Sequence, residues 1–265
     1  MKRRRYLAAA LALLLLLSGC HSEAEPTEVT TEPTETTGPT LPPNPYGPFD
    51  FSYENGYLTC ISGESLSGVD VSAHQGEIRW NEVHDTGFQF AMIRIGYRGW
   101  GTGALCLDEW AEKNITGAKE AGMQVGCYFF SQATNPAEAV EEAEFVLSFL
   151  DGRAMELPIV FDWEVPDENA RTAGMDGDGV TQCAKAFCER IRAAGYEPMI
   201  YFNFHFMEHY LDLFELQDYK FWFALYDAPM SCPIQVDMWQ YTATGIVPGI
   251  DTAVDIDLLL TYEIY

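Results

Sequence analysis

The sequence has few basic residues and no apolar run long enough to span a membrane as a stable helix. Lysine and arginine number 15 against 40 acidic residues, so the 265-residue chain has a formal net charge of −25. Such an acidic chain repels the phosphate backbone of nucleic acids, and we expect no nucleic-acid partner. The cysteines and histidines show no spacing typical of a zinc site, and no internal repeat is visible.

The N-terminus has the pattern of an export signal. Residues 2–5 are all basic, and residues 7–17 form an apolar run of 11 residues, where a spanning helix needs about 20. We therefore interpret residues 1–19 as a signal peptide. Residues 17–20 read LSGC, which resembles the lipobox of bacterial lipoproteins, in which the signal is cleaved before the cysteine and the cysteine sulfur takes a diacylglycerol. The resemblance implies lipidation at Cys20 and a lipoprotein anchored on the outer side of the bacterial cytoplasmic membrane; secretion without a lipid is the alternative.

Two short segments precede the main domain. Residues 20–48 are rich in threonine, proline and glutamate and poor in large apolar side chains, so they cannot bury enough surface to offset the entropy lost on ordering. We predict a disordered tether there. Residues 49–67 place alternating aromatic residues around Asn55-Gly56, a pair typical of a tight hairpin turn. We predict a small β-hairpin extension over residues 49–67 and a catalytic domain over residues 68–265.

The main domain alternates strand-like and helix-like segments. About eight short apolar segments between residues 68 and 258 have the length and composition of strands, and most are separated by helical patterns. Alternation of this kind favours a parallel sheet, and eight strands favour a closed barrel. The last two segments, 236–241 and 254–258, leave no room for a full helix. We therefore predict an α/β fold, namely a modified TIM-like (β/α) barrel whose last helices are reduced or missing.

Two carboxylates follow the apolar strand segment 157–161. Asp162 and Glu164 are two residues apart, so their side chains point to the same side of a strand. Two ionised acids at such positions repel, and we expect one pKa to be raised. Asp70 and Asp255 also appear late in predicted strands, at the barrel end where functional residues lie. An acid at the solvent-exposed end of a strand is the alternative for each residue alone.

Four motifs in order resemble those of family 25 glycoside hydrolases. They are residues 68–72 (GVDVS) followed by Gln75-Gly76, residues 161–164 (FDWE), residues 239–241 (WQY) and residues 254–257 (VDID). The family consists of lysozymes, or N-acetylmuramidases, and the resemblance covers about residues 68–260. Two departures are Asp257, where the motif often has asparagine, and Phe129-Phe130, where histidine is frequent.

The resemblance implies catalytic roles for Asp70, Asp162, Glu164 and Asp255. It implies hydrolysis of the β-1,4 bond between N-acetylmuramic acid and N-acetylglucosamine in peptidoglycan, with Glu164 as general acid. Asp162 would assist either the substrate's own N-acetyl group or a water molecule, and Asp70 and Asp255 would tune the charge. This chemistry requires no metal and no organic cofactor.

Aromatic residues and one arginine are the candidate contacts to the glycan strands of peptidoglycan. Alternation puts Tyr201, Tyr226 and Arg94 on inward faces, while Tyr128 and Trp239 are placed at the rim. For each aromatic residue, packing in the core is the alternative. Arg94 either pairs with a rim carboxylate or contacts the substrate. Two other functions remain open, a chitinase-like endo-N-acetylglucosaminidase and an inactive glycan-binding lipoprotein.

Overall fold

A computed structural model describes residues 40–261 of the chain. The strands are β1 (Phe51–Glu54), β2 (Tyr57–Cys60), β3 (Glu64–Val71), β4 (Phe90–Arg98), β5 (Leu105–Leu107), β6 (Gln124–Ser131), β7 (Ile159–Trp163), β8 (Pro198–Asn203), β9 (Lys220–Ala224), β10 (Met238–Gly245) and β11 (Val254–Thr261). The helices are α1 (Trp80–Asp85), α2 (Ala111–Glu120), α3 (Pro136–Leu150), α4 (Gly177–Ala193) and α5 (Phe204–His209). The predicted signal peptide (1–19), Cys20 and most of the predicted tether lie outside the described residues.

None of the helices formed within residues 40–261 has the length and apolar character needed to cross a membrane.

Eight strands close into a barrel. Their order is β3, β4, β6, β7, β8, β9, β10 and β11, and β11 pairs back with β3. The first seven strands all run parallel to one another, whereas β11 runs antiparallel to its two neighbours, β10 and β3. No helix separates β9, β10 and β11 in this part of the chain. The predicted modified (β/α) barrel with missing last helices is therefore confirmed.

The barrel interior is apolar at the end where the parallel strands begin. Because side chains alternate along each strand, every second residue points into the barrel. At this end, the inward side chains are those of Leu66, Phe90, Met92, Val160, Met199, Met238 and Leu259. At Gly68, a side-chain carbon would overlap the Phe90 ring, so the glycine allows the aromatic ring to fill the interior. Apolar side chains thus fill this end of the barrel, and the polar inward residues lie at the opposite end.

The predicted hairpin is present, but it is shorter than expected. β1 and β2 pair around Asn55 and Gly56, whose φ angles of 52° and 91° match the positive values that a two-residue hairpin turn requires. The predicted extension ended at residue 67, whereas β3 begins at Glu64 and pairs with β11 from that residue onward. Residues 64–67 therefore belong to the barrel, because their backbone completes its last strand pair.

The segment before the hairpin packs against the barrel. Pro43 forms a β-bridge with Ile234, and the hydroxyl of Tyr46 donates a hydrogen bond to the carbonyl of Thr261 at 3.2 Å. Leu41 packs against the hydrophobic core. The prediction of a tether that extends to residue 48 is therefore too long at its C-terminal end, since these few apolar residues find a surface to cover.

Candidate active site

Four predicted carboxylates meet at the barrel end where the parallel strands finish. Asp70 lies at the end of β3, Asp162 lies near the end of β7, and Glu164 follows β7 directly. Asp255 lies directly opposite Asp70 in the pairing of β11 with β3. Asp70 and Asp162 are buried, and Glu164 and Asp255 are partly buried. The structure thus brings together all four residues from distant parts of the chain.

Asp255 reaches this rim by a different route from the one predicted. It is the second residue of β11 rather than a late one. Because β11 is antiparallel to its neighbours, the beginning of β11 lies beside the ends of the other strands. The prediction that all four acids come late in their strands is wrong for Asp255, although its expected location at the rim is correct.

The carboxyl groups hold their protons more tightly than free acids do. Burial, together with the charges of Glu164 and Asp70, raises the pKa of Asp162 well above its usual value. Burial and then the charge of Asp255 raise the pKa of Glu164 to about 6. The sequence predicts that repulsion between Asp162 and Glu164 raises one of their pKa values, but for Glu164 burial is the first cause and Asp255 is the charged neighbour. The arrangement keeps a proton donor available in mildly acidic solution.

One oxygen of Asp162 has no hydrogen-bond donor among residues 40–261. This atom, Oδ1, is buried, and a buried acceptor without a donor loses the interactions that it would make with water. Such an oxygen is suited to accept a hydrogen bond from an N–H group of a ligand. Asp162 is therefore equipped to orient an amide as well as to carry charge.

Gln240 connects the acids to two tyrosines. Its Nε2 donates to Oδ2 of Asp70 at 2.6 Å, and its Oε1 accepts from the hydroxyls of Tyr201 at 3.0 Å and of Tyr226 at 2.6 Å. Tyr201 is buried, whereas Tyr226 is 42% exposed at the rim. The motif at residues 239–241 contained Gln240, but we assigned it no role. Alternation along β10, which turns Gln240 inward and Trp239 outward, was the available signal.

Trp239 does not lie at the rim, so its prediction as a substrate contact is wrong. Its side chain is 1% exposed, its Nε1 donates to the carbonyl of Leu225 at 3.1 Å, and its ring packs edge-on against Phe51 with the centroids 4.9 Å apart. Trp239 therefore lies on the outside of the barrel, where the hairpin packs against it.

Tyr128 and Trp222 form the aromatic wall below the acids. Tyr128 is buried inside the barrel, and its ring lies edge-on to that of Trp222, with the centroids 6.0 Å apart. Burial raises the pKa of the Tyr128 hydroxyl well above its usual value, and Asp70 adds to the shift. Tyr128 therefore remains a neutral hydrogen-bonding group beside the carboxylates.

Arg94 lies in a cavity beside the four acids. The cavity has a volume of about 660 Å³ and is lined by Ala73, His74, Arg94, Tyr97, Leu107, Asp108, Glu109 and Phe130. Arg94 Nε donates to Asp108 Oδ2 at 2.9 Å, and this oxygen also accepts from the backbone N–H of Ala73. Asp108 therefore fixes the position of the arginine. None of the four acids lines this cavity or a second one, of about 680 Å³, next to α5.

Two buried side chains hold the backbone of Glu164. Nε2 of Gln132 and the hydroxyl of Thr172 donate to the Glu164 carbonyl at 2.6 and 3.2 Å, and the Thr172 hydroxyl also lies 3.0 Å from Gln132 Oε1. Both side chains are fully buried, so they keep the strand end in one position. Nothing in the local sequence around Gln132 or Thr172 predicts this role.

Within residues 40–261, no cluster of three or more His, Cys, Asp or Glu side chains could hold a metal ion.

Residues 69–250 match the model of the glycosyl hydrolases family 25. The autolytic lysozyme of Clostridium acetobutylicum is 25% identical over 196 residues, which are 72% of this chain and 55% of that protein. Lysozyme M1 of Streptomyces globisporus is 27% identical over 201 residues, which are 72% of this chain and 66% of that protein.

A solved structure supports the same fold. The family 25 glycosyl hydrolase of Bacillus anthracis aligns with a TM-score of 0.65 at 22% identity, over 81% of this chain and 94% of that one. The chain spans less than two thirds of the length of each curated relative. The family model nevertheless matches more than half of the chain. The chain therefore belongs to glycosyl hydrolase family 25.

Proposed function

We propose that this protein is a lysozyme that hydrolyses the β-1,4 bond between N-acetylmuramic acid and N-acetylglucosamine in peptidoglycan. The observation that carries the proposal is the Asp162–Glu164 pair at the barrel rim, where both carboxyl groups have a raised pKa. Glycosidic cleavage requires a protonated acid beside a second carboxyl group. Membership of family 25 and the names of the two curated relatives support the same reaction class.

Glu164 is the proton donor in this proposal. It is partly buried, its pKa is about 6, and its backbone is fixed by Gln132 and Thr172. A donor works best when its pKa is close to the working pH, because it is then often protonated and still acidic enough to release the proton. Glu164 protonates the glycosidic oxygen as the bond to the anomeric carbon breaks.

Asp162 has two possible roles opposite the leaving group. Its buried Oδ1 lacks a donor, which suits an acceptor for the N–H of the substrate's N-acetyl group. Held in this way, the acetamido oxygen attacks the anomeric carbon from within the substrate, which replaces a bimolecular step. In the other role, Asp162 assists a water molecule. The negative charges of Asp70 and Asp255 stabilise the positive charge that develops on the sugar.

The glycan contacts come from residues around the acids. Tyr226 is exposed at the rim and linked through Gln240 to Asp70, which suits a hydrogen bond to a sugar hydroxyl or a stacking contact with a sugar ring. Tyr201 and Tyr128 form the wall beneath it. Arg94 provides the positive charge in the neighbouring cavity. Its pairing with Asp108 leaves the far side of the guanidinium for an anionic group of the substrate.

The substitution Glu164→Gln tests the proposal, with Glu168→Gln as its matched control. Glutamine preserves the size of the side chain but cannot donate a proton in this way, so hydrolysis should fall by at least ~10²-fold. Glu168 is an exposed residue of the following loop, and its substitution should leave the rate unchanged. The rate is followed by release of soluble fragments from purified peptidoglycan, and circular dichroism confirms that each variant is folded.

Mass spectrometry of the released fragments distinguishes the alternatives. Muramic acid at the reducing ends supports the proposed bond specificity, whereas N-acetylglucosamine at the reducing ends would indicate the glucosaminidase. Binding without any cleavage by the wild-type chain would indicate the inactive glycan-binding protein. NMR of the first product distinguishes the two roles of Asp162, because an initial β-anomer indicates the acetamido route and an initial α-anomer indicates water.

We also propose that the protein acts outside the cytoplasmic membrane as a lipoprotein anchored through Cys20. The support is the order of a basic segment, a short apolar run and the LSGC motif in residues 2–20. Peptidoglycan, the proposed substrate, lies on that side of the membrane. If the cysteine is not lipidated, the same signal leads to secretion.

A further inference from the structure

A fifth carboxyl group, that of Asp257, lies inside the barrel and takes no part in the chemistry proposed above. Its side chain is fully buried, and it points inward from β11 between Asp255 and Leu259. On the neighbouring strand, Asp70 lies opposite Asp255, and Gly68 lies opposite Asp257. Asp257 is therefore diagonal to Asp70, on the side away from the cleft, and no side chain at Gly68 separates the two.

One carboxyl oxygen of Asp257 has a hydrogen-bond donor and the other has none. Its Oδ1 accepts from Nε1 of Trp222 at 2.9 Å. Its Oδ2 is buried and receives no hydrogen bond from an N–H or hydroxyl group of the described residues. The pairing of β11 with β3 places the Asp70 carboxyl diagonally across from Asp257, and the two carboxyl groups form a hydrogen bond with each other. Two carboxylate oxygens in contact are both acceptors, so the contact is stable only if one of them carries a proton.

The groups around Asp70 and Asp257 favour a proton on one of these two carboxyl groups. Asp255 on β11 and Glu164 after β7 add negative charge around Asp70, and Asp70 and Asp255 add it around Asp257. On β10, burial and the nearby Asp257 carboxyl raise the pKa of the Tyr241 phenol, so this phenol stays neutral. No lysine or arginine within residues 40–261 forms an ion pair with either carboxyl, and Arg94 at the same rim is paired with Asp108. Burial in an acidic cluster without a cation disfavours two charges.

The donors around the two residues indicate which one keeps the proton. Asp70 already receives a hydrogen bond from Gln240 Nε2 at 2.6 Å, which stabilises its anion. A hydrogen bond from Asp257 lowers the pKa of Asp70 and raises that of Asp257. Asp257 is also the deeper of the two, with no exposed surface against 5% for Asp70.

We propose that Asp257 is a neutral carboxylic acid whose hydroxyl donates a hydrogen bond to Asp70, and that it is a positioning residue which keeps Asp70 charged and correctly oriented below the cleft. Its Oδ1 remains fixed by the Trp222 indole. The hydrogen bond from Asp257 and the one from Gln240 together hold the Asp70 carboxylate from two directions. The effect on hydrolysis rests on the proposed function, whereas the protonation of Asp257 does not.

The protonation is tested in the wild-type protein by NMR of ¹³C-labelled aspartate carboxyl groups. The Asp257 carbon should keep the chemical shift of a protonated acid from pH 4 to at least pH 7, whereas an aspartate in an unfolded chain loses its proton near pH ~3.9. A carboxylate shift for Asp257 at pH 5 would overturn the proposal. This readout requires neither a substrate nor a stable variant.

Stability provides a second readout, through Asp257→Asn and the exposed control Asp218→Asn. A group whose folded-state pKa is raised takes up a proton on folding, so the wild-type protein loses stability as the pH rises from about 4 towards that pKa. Asparagine has no such proton. The unfolding equilibrium constant of Asp257→Asn relative to wild type should therefore fall by up to ~10-fold per pH unit in this range. A ratio independent of pH, as expected for Asp218→Asn, would contradict the proposal.

The positioning role is tested by comparing Asp257→Asn with Asp257→Leu. The asparagine amide can donate to Asp70 as the acid does, whereas leucine fills a similar volume without a donor. We expect Asp257→Asn to retain at least ~10-fold more kcat than Asp257→Leu, with similar KM values. Equal losses of kcat in two folded variants would show that the hydrogen bond to Asp70 has no role. If wild type is inactive on peptidoglycan, the proposed function fails while the NMR result for Asp257 still stands.

Discussion

The carboxyl groups at the barrel rim have raised pKa values because they are buried together with almost no cation beside them. Asp70, Asp162, Glu164 and Asp255 all have a raised pKa, and burial is the first cause for each. The charges that raise these pKa values further are those of the other acids in the same cluster. Protons held by some members of the cluster therefore take the place of ion pairs and allow several acids to lie in one cleft.

The first consequence at this scale is the pH dependence of hydrolysis. Glu164 must be protonated to act as a donor, and its pKa is about 6. We expect kcat/KM to fall by up to ~10-fold per pH unit above about pH 6. Because the charge of Asp255 helps to raise this pKa, Asp255→Asn should move the alkaline limb to lower pH. The measurement is a pH–rate profile on purified peptidoglycan.

Asp251→Asn is the matched control for that shift. Asp251 lies four residues away, is exposed, and forms a surface ion pair with Arg79. Its substitution should leave the alkaline limb where it is. An alkaline limb that does not move in Asp255→Asn would contradict the role given to the Asp255 charge.

Some residues of the candidate site could be predicted from the sequence, and others could not. The four acids stand in short motifs with strand alternation, so both their identity and their common face are visible locally. Asp108, Gln132 and Gln240 act through contacts with residues 14, 32 and 170 positions away in the chain. Their partners are brought to them only when the barrel closes, so a local pattern can at most show which way a side chain points, as alternation along β10 does for Gln240.

At the scale of elements, strands and turns were predictable, whereas the direction of β11 was not. Apolar alternation and the Asn55-Gly56 turn predicted most strands and the hairpin, because these depend on neighbouring residues. A strand's direction within a sheet depends on the connection before it. The connection between β10 and β11 is short and without a helix, so it turns the chain back instead of crossing over.

The hairpin gives the second consequence, which concerns Trp239. Because Trp239 is buried against Phe51, Trp239→Ala should destabilise the protein by about 3–5 kcal/mol, the usual loss for a buried aromatic side chain. KM for peptidoglycan should change little in the folded fraction. Thermal unfolding and initial-rate kinetics measure the two quantities. Trp100→Ala is the control, since Trp100 is 49% exposed.

The opposite outcome for Trp239 is equally clear. A raised KM together with an unchanged unfolding temperature would restore Trp239 as a substrate contact. It would also mean that the hairpin does not remain on the barrel in solution.

For the whole molecule, the net charge of −25 makes attraction to anionic polymers unfavourable over long range. An anchor would compensate by raising the local concentration of the domain near the wall. We expect Cys20→Ala to abolish incorporation of labelled fatty acid and to release the protein from the membrane fraction, with hydrolysis by the purified domain unchanged. Cys60→Ala is the control, since that cysteine lies within the folded domain. A wild-type chain that takes up no fatty acid would refute the proposed anchor.

The pairing of β11 with β3 joins the first and the last strand of the barrel. The Thr261 hydroxyl donates to the carbonyl of Glu64, 197 residues earlier. Contacts this distant in sequence form slowly, because a long loop must close before they are gained. Asp255 meets Asp70 only when this last strand docks, so the mutual repulsion of the acids is imposed at the end of folding. The proposed catalytic centre is therefore incomplete until β11 has docked, and a chain exported as an unfolded polypeptide would become active only after this strand has crossed the membrane.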